Sequence, residues 1–144
     1  MDEIRTLLHR YADAVCRFDP DQWAATWAPD GVWDMGHVKV EGREEIGATW
    51  KKIMSGIPAV VHMYFNGTAD LDESTGTGTG RWYIGEYLRM PDGSTTAMYG
   101  YYDDRYANVD GEWLFTTRTL TPLYRGPGDM SGVFLRAESA ESGS

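Results

Sequence analysis

Four long segments in the second half of the chain have the composition of β-strands, and they limit the fold more than any other feature. They span residues 59–70, 75–90, 95–108 and 112–124 and are rich in Val, Tyr, Phe, Thr and Trp. Short turns containing Asp, Gly or Pro separate them, which predicts hairpins and an antiparallel sheet. Strands of this length coil strongly. We therefore expect the sheet to bend into a cup.

The first part of the chain predicts two helices in sequence. Apolar residues recur at helical spacing over residues 3–18, which indicates an amphipathic helix. Asp19 and Pro20 favour the start of a second, short helix. That helix is predicted to include Trp23 and Trp27. The two helices should form a hairpin.

A strand over residues 31–40 and a third helix over residues 43–54 complete the first half. The predicted fold class is α+β, with a curved antiparallel sheet wrapped around helices in a cone that has a central pocket. We expect one domain over residues 1–125. Residues 126–144 are expected to form a C-terminal extension, and its polar end over residues 137–144 is predicted to be disordered.

Charge and composition exclude several classes of partner. The formal net charge is -9, and the longest basic run is the pair Lys51 and Lys52, so nucleic acid and anionic membranes should be repelled. No segment has the roughly 20 apolar residues of a membrane span. The acidic start after Met1 differs from a signal peptide, which predicts a cytoplasmic protein. Cys16 is the single cysteine, so no internal disulfide is expected.

The sequence contains no motif for a metal or a nucleotide. No His and acid have metal-ligand spacing, and neither a dinucleotide fingerprint nor a Walker loop is present. The Gly-rich run over residues 75–80 lies inside a predicted strand, where glycines permit kinks. We expect no cofactor.

His62 is the strongest catalytic candidate in the chain. It lies near the start of a predicted strand, and a histidine that faces a pocket can remove or deliver a proton near neutral pH. Residues two apart on a strand share a face, so Tyr64 and Asn66 are expected beside it. This would form a polar strip along an apolar wall.

Two acids and several aromatic residues are further candidates. Asp34 is flanked by Trp33 and Met35, and Glu86 lies in a strongly aromatic strand. Either carboxylate could reach the pocket or face outward. Alternate residues of a strand share a face, so the same rule places residues of the other strands toward the pocket. The predicted substrate-binding residues are Trp33, Met35, Tyr64, Asn66, Trp82, Glu86, Tyr102 and Arg118. Arg118, if buried, needs an acid or a substrate oxyanion as partner; an outward guanidinium is the alternative.

Several separated motifs resemble the SnoaL-like branch of the nuclear-transport-factor-2-like superfamily. The resemblance covers about residues 3–124. The matching segments are 11–15, 27–33, 40–46, 79–83, 102–106 and 110–113, together with Asp19, Trp23, His62, Asn66 and Arg118. The resemblance implies a cone-shaped fold, a small hydrophobic or aromatic ligand, and a homodimer or higher homo-oligomer with Tyr99 and Tyr101 facing outward.

The resemblance also implies roles for individual residues. His62 matches the catalytic His of members such as scytalone dehydratase and bile-acid dehydratase, and Tyr11 matches a pocket tyrosine. Those enzymes pair the His with a carboxylate late in the first helix. Cys16 occupies that position here, and a thiol does not supply the same charge. Asp34 and Glu86 are the alternative acids.

Three functions follow from these observations. The first is a cofactor-independent lyase or isomerase of the dehydratase type, in which His62, Tyr11 and Asp34 act on a small hydrophobic, aromatic or polycyclic substrate. The second is a non-catalytic module that binds small molecules. The third is an epoxide hydrolase, which would need an Asp, Arg, Asp relay. A carboxylate within hydrogen-bond distance of the His62 ring would favour catalysis.

Overall fold

The structure is a computed structural model that describes residues 2–135. The predicted disordered tail therefore lies outside the described residues. The elements are α1 (Asp2–Arg17), α2 (Pro20–Ala24), β1 (Trp27–Asp34), β2 (Lys39–Glu41), α3 (Arg43–Met54), β3 (Ala59–Asp72), β4 (Thr77–Arg89), β5 (Thr95–Val109), β6 (Glu112–Gly126) and β7 (Val133–Phe134).

All seven strands belong to one curved, unclosed sheet, and the α+β fold class is confirmed. The strand order is β2-β1-β6-β5-β4-β3, and β7 pairs with β6. The long strands β3 to β6 form the predicted antiparallel meander. The sheet is nevertheless mixed, because β1 lies parallel to β6. This pairing brings the first half of the chain into the meander.

Two predicted elements near the N-terminus differ from the structure. Trp27 was expected on the second helix, but it is the first residue of β1 and pairs with Phe115. The predicted strand over residues 31–40 is divided, since a turn containing Gly36, which has a φ of 90°, separates β1 from β2. A positive φ favours glycine, because glycine has no Cβ to clash with the backbone.

The sheet contains a bulge in β3, because the β3–β4 register shifts between Tyr64 and Gly67, whereas β4 pairs without interruption through Gly78 and Gly80. Glycine at position 80 permits a close approach, because a Cβ there would lie 2.5 Å from the Tyr106 hydroxyl. Residues 75 and 76 precede β4, and Gly76 has a φ of 67°, so the prediction that the whole glycine run lies inside a strand is wrong.

The helices cover the concave face of the sheet with an aromatic core. The apolar stripe of α1 is buried, as the spacing predicts, and its members are Ile4, Leu7, Leu8, Tyr11, Ala14 and Val15. Trp23 of α2 stacks on Trp50 of α3 with ring centroids 4.7 Å apart. Burial of these large side chains provides most of the driving force for folding.

One ion pair lies inside this core. Arg118 of β6 and Asp104 of β5 are paired across the sheet, and both side chains are fully buried. The guanidinium donates from Nε to Oδ1 at 2.7 Å and from Nη2 to Oδ2 at 3.1 Å. Tyr106 donates a further hydrogen bond to Asp104 at 2.9 Å. An outward Arg118 is thus excluded.

Part of the predicted C-terminal extension is ordered and joins the sheet. Val133–Phe134 of the predicted C-terminal extension adds β7 to the sheet, where Phe134 packs on Tyr124 with centroids 4.9 Å apart. Within residues 2–135, no helix has the length and apolar character needed to cross a bilayer.

We predict that Arg118→Met destabilises the protein by about 3–5 kcal/mol, because it leaves Asp104 buried without a cation. Arg81→Met is the matched control: Arg81 also binds an aspartate, Asp103, through two hydrogen bonds, but that pair is half-exposed. Exposed pairs contribute little. Urea unfolding measures both losses, and equal destabilisation by the two variants would contradict the predicted importance of burial.

Candidate active site

A cavity of about 200 Å³ lies between the helices and the concave face of the sheet. Most of its wall is apolar. It is lined by Tyr11, Val15, Trp33, Met35, His37, Trp50, Ile53, Met54, His62, Ile84, Glu86, Leu88, Met98, Tyr102, Leu120 and Arg125. Such a hollow, with few polar groups, is typical of a small-molecule site.

His62 of β3 projects into this wall, and only 3% of its side chain is exposed. Its Nδ1 lies 2.7 Å from Oε2 of Glu86 on β4. The two residues are direct cross-strand partners, so the sheet register brings them together. A carboxylate therefore stands within hydrogen-bond distance of the imidazole.

The other ring nitrogen of His62 is unusual. Nε2 is buried and has no hydrogen-bond partner within residues 2–135. Because Nδ1–H donates to the carboxylate, Nε2 of the neutral ring carries the lone pair. Leaving a buried polar atom unpaired costs roughly 1–3 kcal/mol. An unpaired ring nitrogen on a side chain that lines the cavity is a candidate for proton transfer with a ligand.

Cys16 lies beside His62 but contacts its backbone rather than its ring. The His62 amide donates to Sγ at 3.3 Å, and the thiol lies 3.8 Å from the His62 carbonyl oxygen. The position that resembles the acid site of related enzymes is therefore next to the histidine, as the resemblance implies. Here the charge comes from the opposite side, from Glu86 on the sheet.

A hydroxyl group also faces the cavity. The Tyr102 oxygen accepts a hydrogen bond from Trp33 Nε1 at 3.3 Å. Burial raises the pKa of the Tyr102 phenol, while the Arg118 charge and the hydrogen bond from Trp33 oppose that rise. Burial also raises the pKa of Tyr11, and the neighbouring Tyr102 adds to the effect. Since the Tyr102 oxygen accepts the bond from Trp33, its own proton is available to a ligand.

Arg118 lies behind this hydroxyl. Its guanidinium carbon is 3.9 Å from the centre of the Tyr102 ring, 4.1 Å from that of Phe115 and 4.7 Å from that of Tyr11. The Arg118 charge lowers the pKa of the Tyr102 phenol and so opposes the effect of burial. Nη1 also donates to the Tyr64 hydroxyl at 2.7 Å. All three guanidinium nitrogens of Arg118 thus donate to protein partners, and Arg118 does not line the cavity.

The structure places some predicted residues away from the cavity. Asp34 is half-buried, accepts a hydrogen bond from the Gly36 amide and lies on the opposite face from its neighbours Trp33 and Met35. Asn66 is exposed, because the β3 bulge interrupts the alternation that links it to His62. The expectation that these two side chains face the pocket is wrong.

Tyr64 and Trp82 are inside the fold but not in the cavity wall. Tyr64 binds Arg118, as described above. Trp82 is 5% exposed and donates from Nε1 to the Tyr106 hydroxyl at 3.0 Å. Trp82 therefore supports the Asp104 hydrogen-bond network rather than contacting the cavity.

Several cavity residues are absent from the predicted substrate-binding set. On the helices these are Val15, Trp50, Ile53 and Met54, and on the strands and the β1–β2 turn they are His37, Ile84, Leu88, Met98, Leu120 and Arg125. Strand alternation places Ile84 and Leu88 on the same face as Glu86. Arg125 could not be found in this way, because a bulge changes the phase of β6.

The outer face of the sheet carries a larger groove of about 530 Å³, which is open to solvent. Its lining includes Thr68, Thr79 and Thr117, and Arg81 there is already paired with Asp103. In the described part of the chain, no three His, Cys, Asp or Glu side chains are grouped so that they could hold a metal ion. The concave cavity is thus the better candidate.

Known proteins share this architecture. A scytalone dehydratase-like protein from Novosphingobium aromaticivorans is 21% identical, with a TM-score of 0.81 over 92% of this chain and 90% of that chain. A hexachlorocyclohexane dehydrochlorinase, LinA type 2, is 16% identical, with a TM-score of 0.80 over 88% and 86%. The type 3 enzyme from Novosphingobium barchaimii is 16% identical, with a TM-score of 0.77 over 92% and 90%.

These TM-scores establish a common fold. A comparison with curated proteins found no sequence match. The family comparison is decisive, since the SnoaL-like domain matches residues 1–119. The chain therefore belongs to the SnoaL-like domain family.

Proposed function

We propose that this protein is a cofactor-independent lyase or isomerase that transfers a proton on a small hydrophobic substrate. The observation that supports this most is the buried His62 ring, which is held by Glu86 at 2.7 Å and keeps an unpaired Nε2 in the cavity wall. The family and the dehydratase and dehydrochlorinase neighbours support the same class of chemistry.

In the proposed reaction, Nε2 of His62 removes a proton from a carbon next to a carbonyl group. The C–H electron pair moves into the substrate, and an oxyanion develops on the carbonyl oxygen. Glu86 stabilises the imidazolium that forms. The Tyr102 hydroxyl is free to donate to the oxyanion, and Arg118 behind its ring favours the same negative charge.

The second half of the reaction returns the proton. In a dehydration, the imidazolium delivers it to a leaving hydroxyl, the C–O bond breaks and water departs as the double bond forms. In an isomerisation, the proton returns to a different carbon. Both routes restore neutral His62 and need no redox change.

The cavity volume favours a substrate with one or two rings. Sites for drug-sized ligands measure roughly 300–1,000 Å³, whereas this cavity measures about 200 Å³. Its wall consists mainly of Trp, Tyr, Met, Leu and Ile side chains, which suits an aromatic or alicyclic skeleton. A large polycyclic substrate fits less well.

The two alternative functions have less support. A simple binding module does not require a carboxylate on the buried imidazole, and its absence would have favoured that function. An epoxide hydrolase relay needs two aspartates with one arginine. Arg118 holds a single aspartate, Asp104, and this pair does not include a residue that faces the cavity with His62.

Hydrogen–deuterium exchange tests the proposed base without knowledge of the natural leaving group. We predict that the wild-type protein accelerates exchange at the α-carbons of two-ring ketones such as 2-tetralone in D₂O, measured by ¹H NMR. His62→Gln should lower this acceleration at least 10²-fold, because it removes the general base. Glu112→Gln, on the exposed end of β6, is the control and should behave like the wild type.

The same experiment can contradict the proposal. Wild-type protein that fails to accelerate exchange in a panel of one- and two-ring ketones would argue for the binding module. Exchange that persists in a folded His62→Gln variant would remove the assigned base.

Two tyrosine variants separate the proposed roles of the hydroxyl groups. Tyr102→Phe should lower the exchange rate about 10²-fold, because it removes the donor to the oxyanion. Tyr11→Phe should lower it by less than about tenfold, since we assign the direct contact with the oxyanion to Tyr102. The reverse ranking of the two rates would assign the direct contact to Tyr11.

A further inference from the structure

Arg125 of β6 is an unexpected component of the cavity wall. It lines the same cavity as His62. No carboxylate within residues 2–135 forms an ion pair with its guanidinium, whereas Arg10, Arg17, Arg81 and Arg118 all have acidic partners. Arg125 is exposed, and among the described arginines without an acidic partner it is the one that lines this cavity.

A β-bulge places this residue on the concave face. Gly100 pairs with Pro122 and Tyr99 pairs with Tyr124, so Leu123 is an extra residue in β6. Without it, the alternation from Arg118 through Leu120 and Pro122 would turn residue 124 inward. The extra residue shifts the phase by one position, so Arg125 faces the cavity.

The register also gives the distance between Arg125 and the proposed base. His62, Glu86, Met98 and Arg125 form one continuous row across β3, β4, β5 and β6. All four line the cavity. Three strand spacings separate the ends of the row by about 14 Å between Cα atoms. Met98 supplies the apolar floor between an acid–base pair at one end and a cation at the other.

We propose that Arg125 is an anion subsite and that the substrate is a small hydrophobic acid. Its carboxylate would bind the guanidinium, its ring system would lie over Met98, and its reacting carbon would face Nε2 of His62. The substrate assignment rests on the proposed function. The binding step does not require turnover.

Electrostatics would fix the orientation of such a ligand. A carboxylate near Glu86 would be repelled at the inner end of the row, while Arg125 attracts it at the other end. His37, which is exposed on the turn between β1 and β2, also lines the cavity and is a further basic side chain there, outside the His62–Glu86 pair. Guanidinium groups bind carboxylates through two parallel hydrogen bonds, which favours Arg125 over His37 as the main contact.

Isothermal titration with 2-naphthoate and its neutral analogue 2-naphthamide tests this subsite. The wild-type protein should bind the carboxylate at least tenfold more tightly than the amide. Arg125→Gln should reduce this preference to within about threefold and leave amide affinity unchanged. Arg105→Gln is the matched control, because Arg105 is exposed and lines only the outer grooves among the cavities described. It should keep the wild-type preference.

Three outcomes would overturn the proposal. They are equal or absent binding of the carboxylate by the wild type, a preference that persists in Arg125→Gln, and a preference that is lost in His37→Gln but kept in Arg125→Gln. The binding test is independent of the proposed reaction, because His62→Gln removes the base but should retain the carboxylate preference. If the protein binds the acid but does not accelerate proton exchange, the anion subsite is supported and the proposed reaction is contradicted.

Discussion

The direct pairing of β3 with β4 is the constraint on which the proposed chemistry depends. It sets His62 opposite Glu86, and the carboxylate then fixes the orientation of the ring and leaves Nε2 as the unpaired nitrogen. A shift of one residue in this register would send either side chain to the outer face. Because the same sheet also forms the core, the packing that buries the aromatic residues also positions His62 and Glu86.

A second buried pair supports the opposite wall. Arg118 and Asp104 are fully buried, and the rings of Tyr102, Phe115 and Tyr11 surround the guanidinium. Burial raises the pKa of the Asp104 carboxyl, and Arg118 opposes that rise. Such a pair is costly to place in a core, since its desolvation offsets much of its attraction. Its position behind the Tyr102 hydroxyl gives it a proposed use in stabilising negative charge.

Much of the fold could be predicted from local patterns. The stripe of α1, the four long strands and their hairpin turns are local signals, and the structure contains all of them. The parallel pairing of β1 with β6 could not be predicted, because it joins residues about 90 positions apart. The division of the strand over residues 31–40 was missed because a single glycine turn produces it.

The site was predictable only in part, and bulges explain most of the difference. Strand alternation placed His62 and Glu86 among the candidates, but their mutual contact depends on register between strands. One extra residue in β3 turns Asn66 outward, and one in β6 turns Arg125 inward. Neither insertion leaves a signal in a single sequence. The acid position at Cys16 was also misleading, since a carboxylate on another strand serves the histidine.

The central claim concerns the state of one imidazole ring, and its tautomer can be measured directly. Long-range ¹H–¹⁵N correlation spectra of protein labelled with ¹⁵N-histidine, recorded where His62 is neutral, distinguish a proton on Nδ1 from one on Nε2. We predict the Nδ1–H tautomer in the wild type and its loss in Glu86→Gln. A neutral ring with its proton on Nε2 in the wild type would contradict the account.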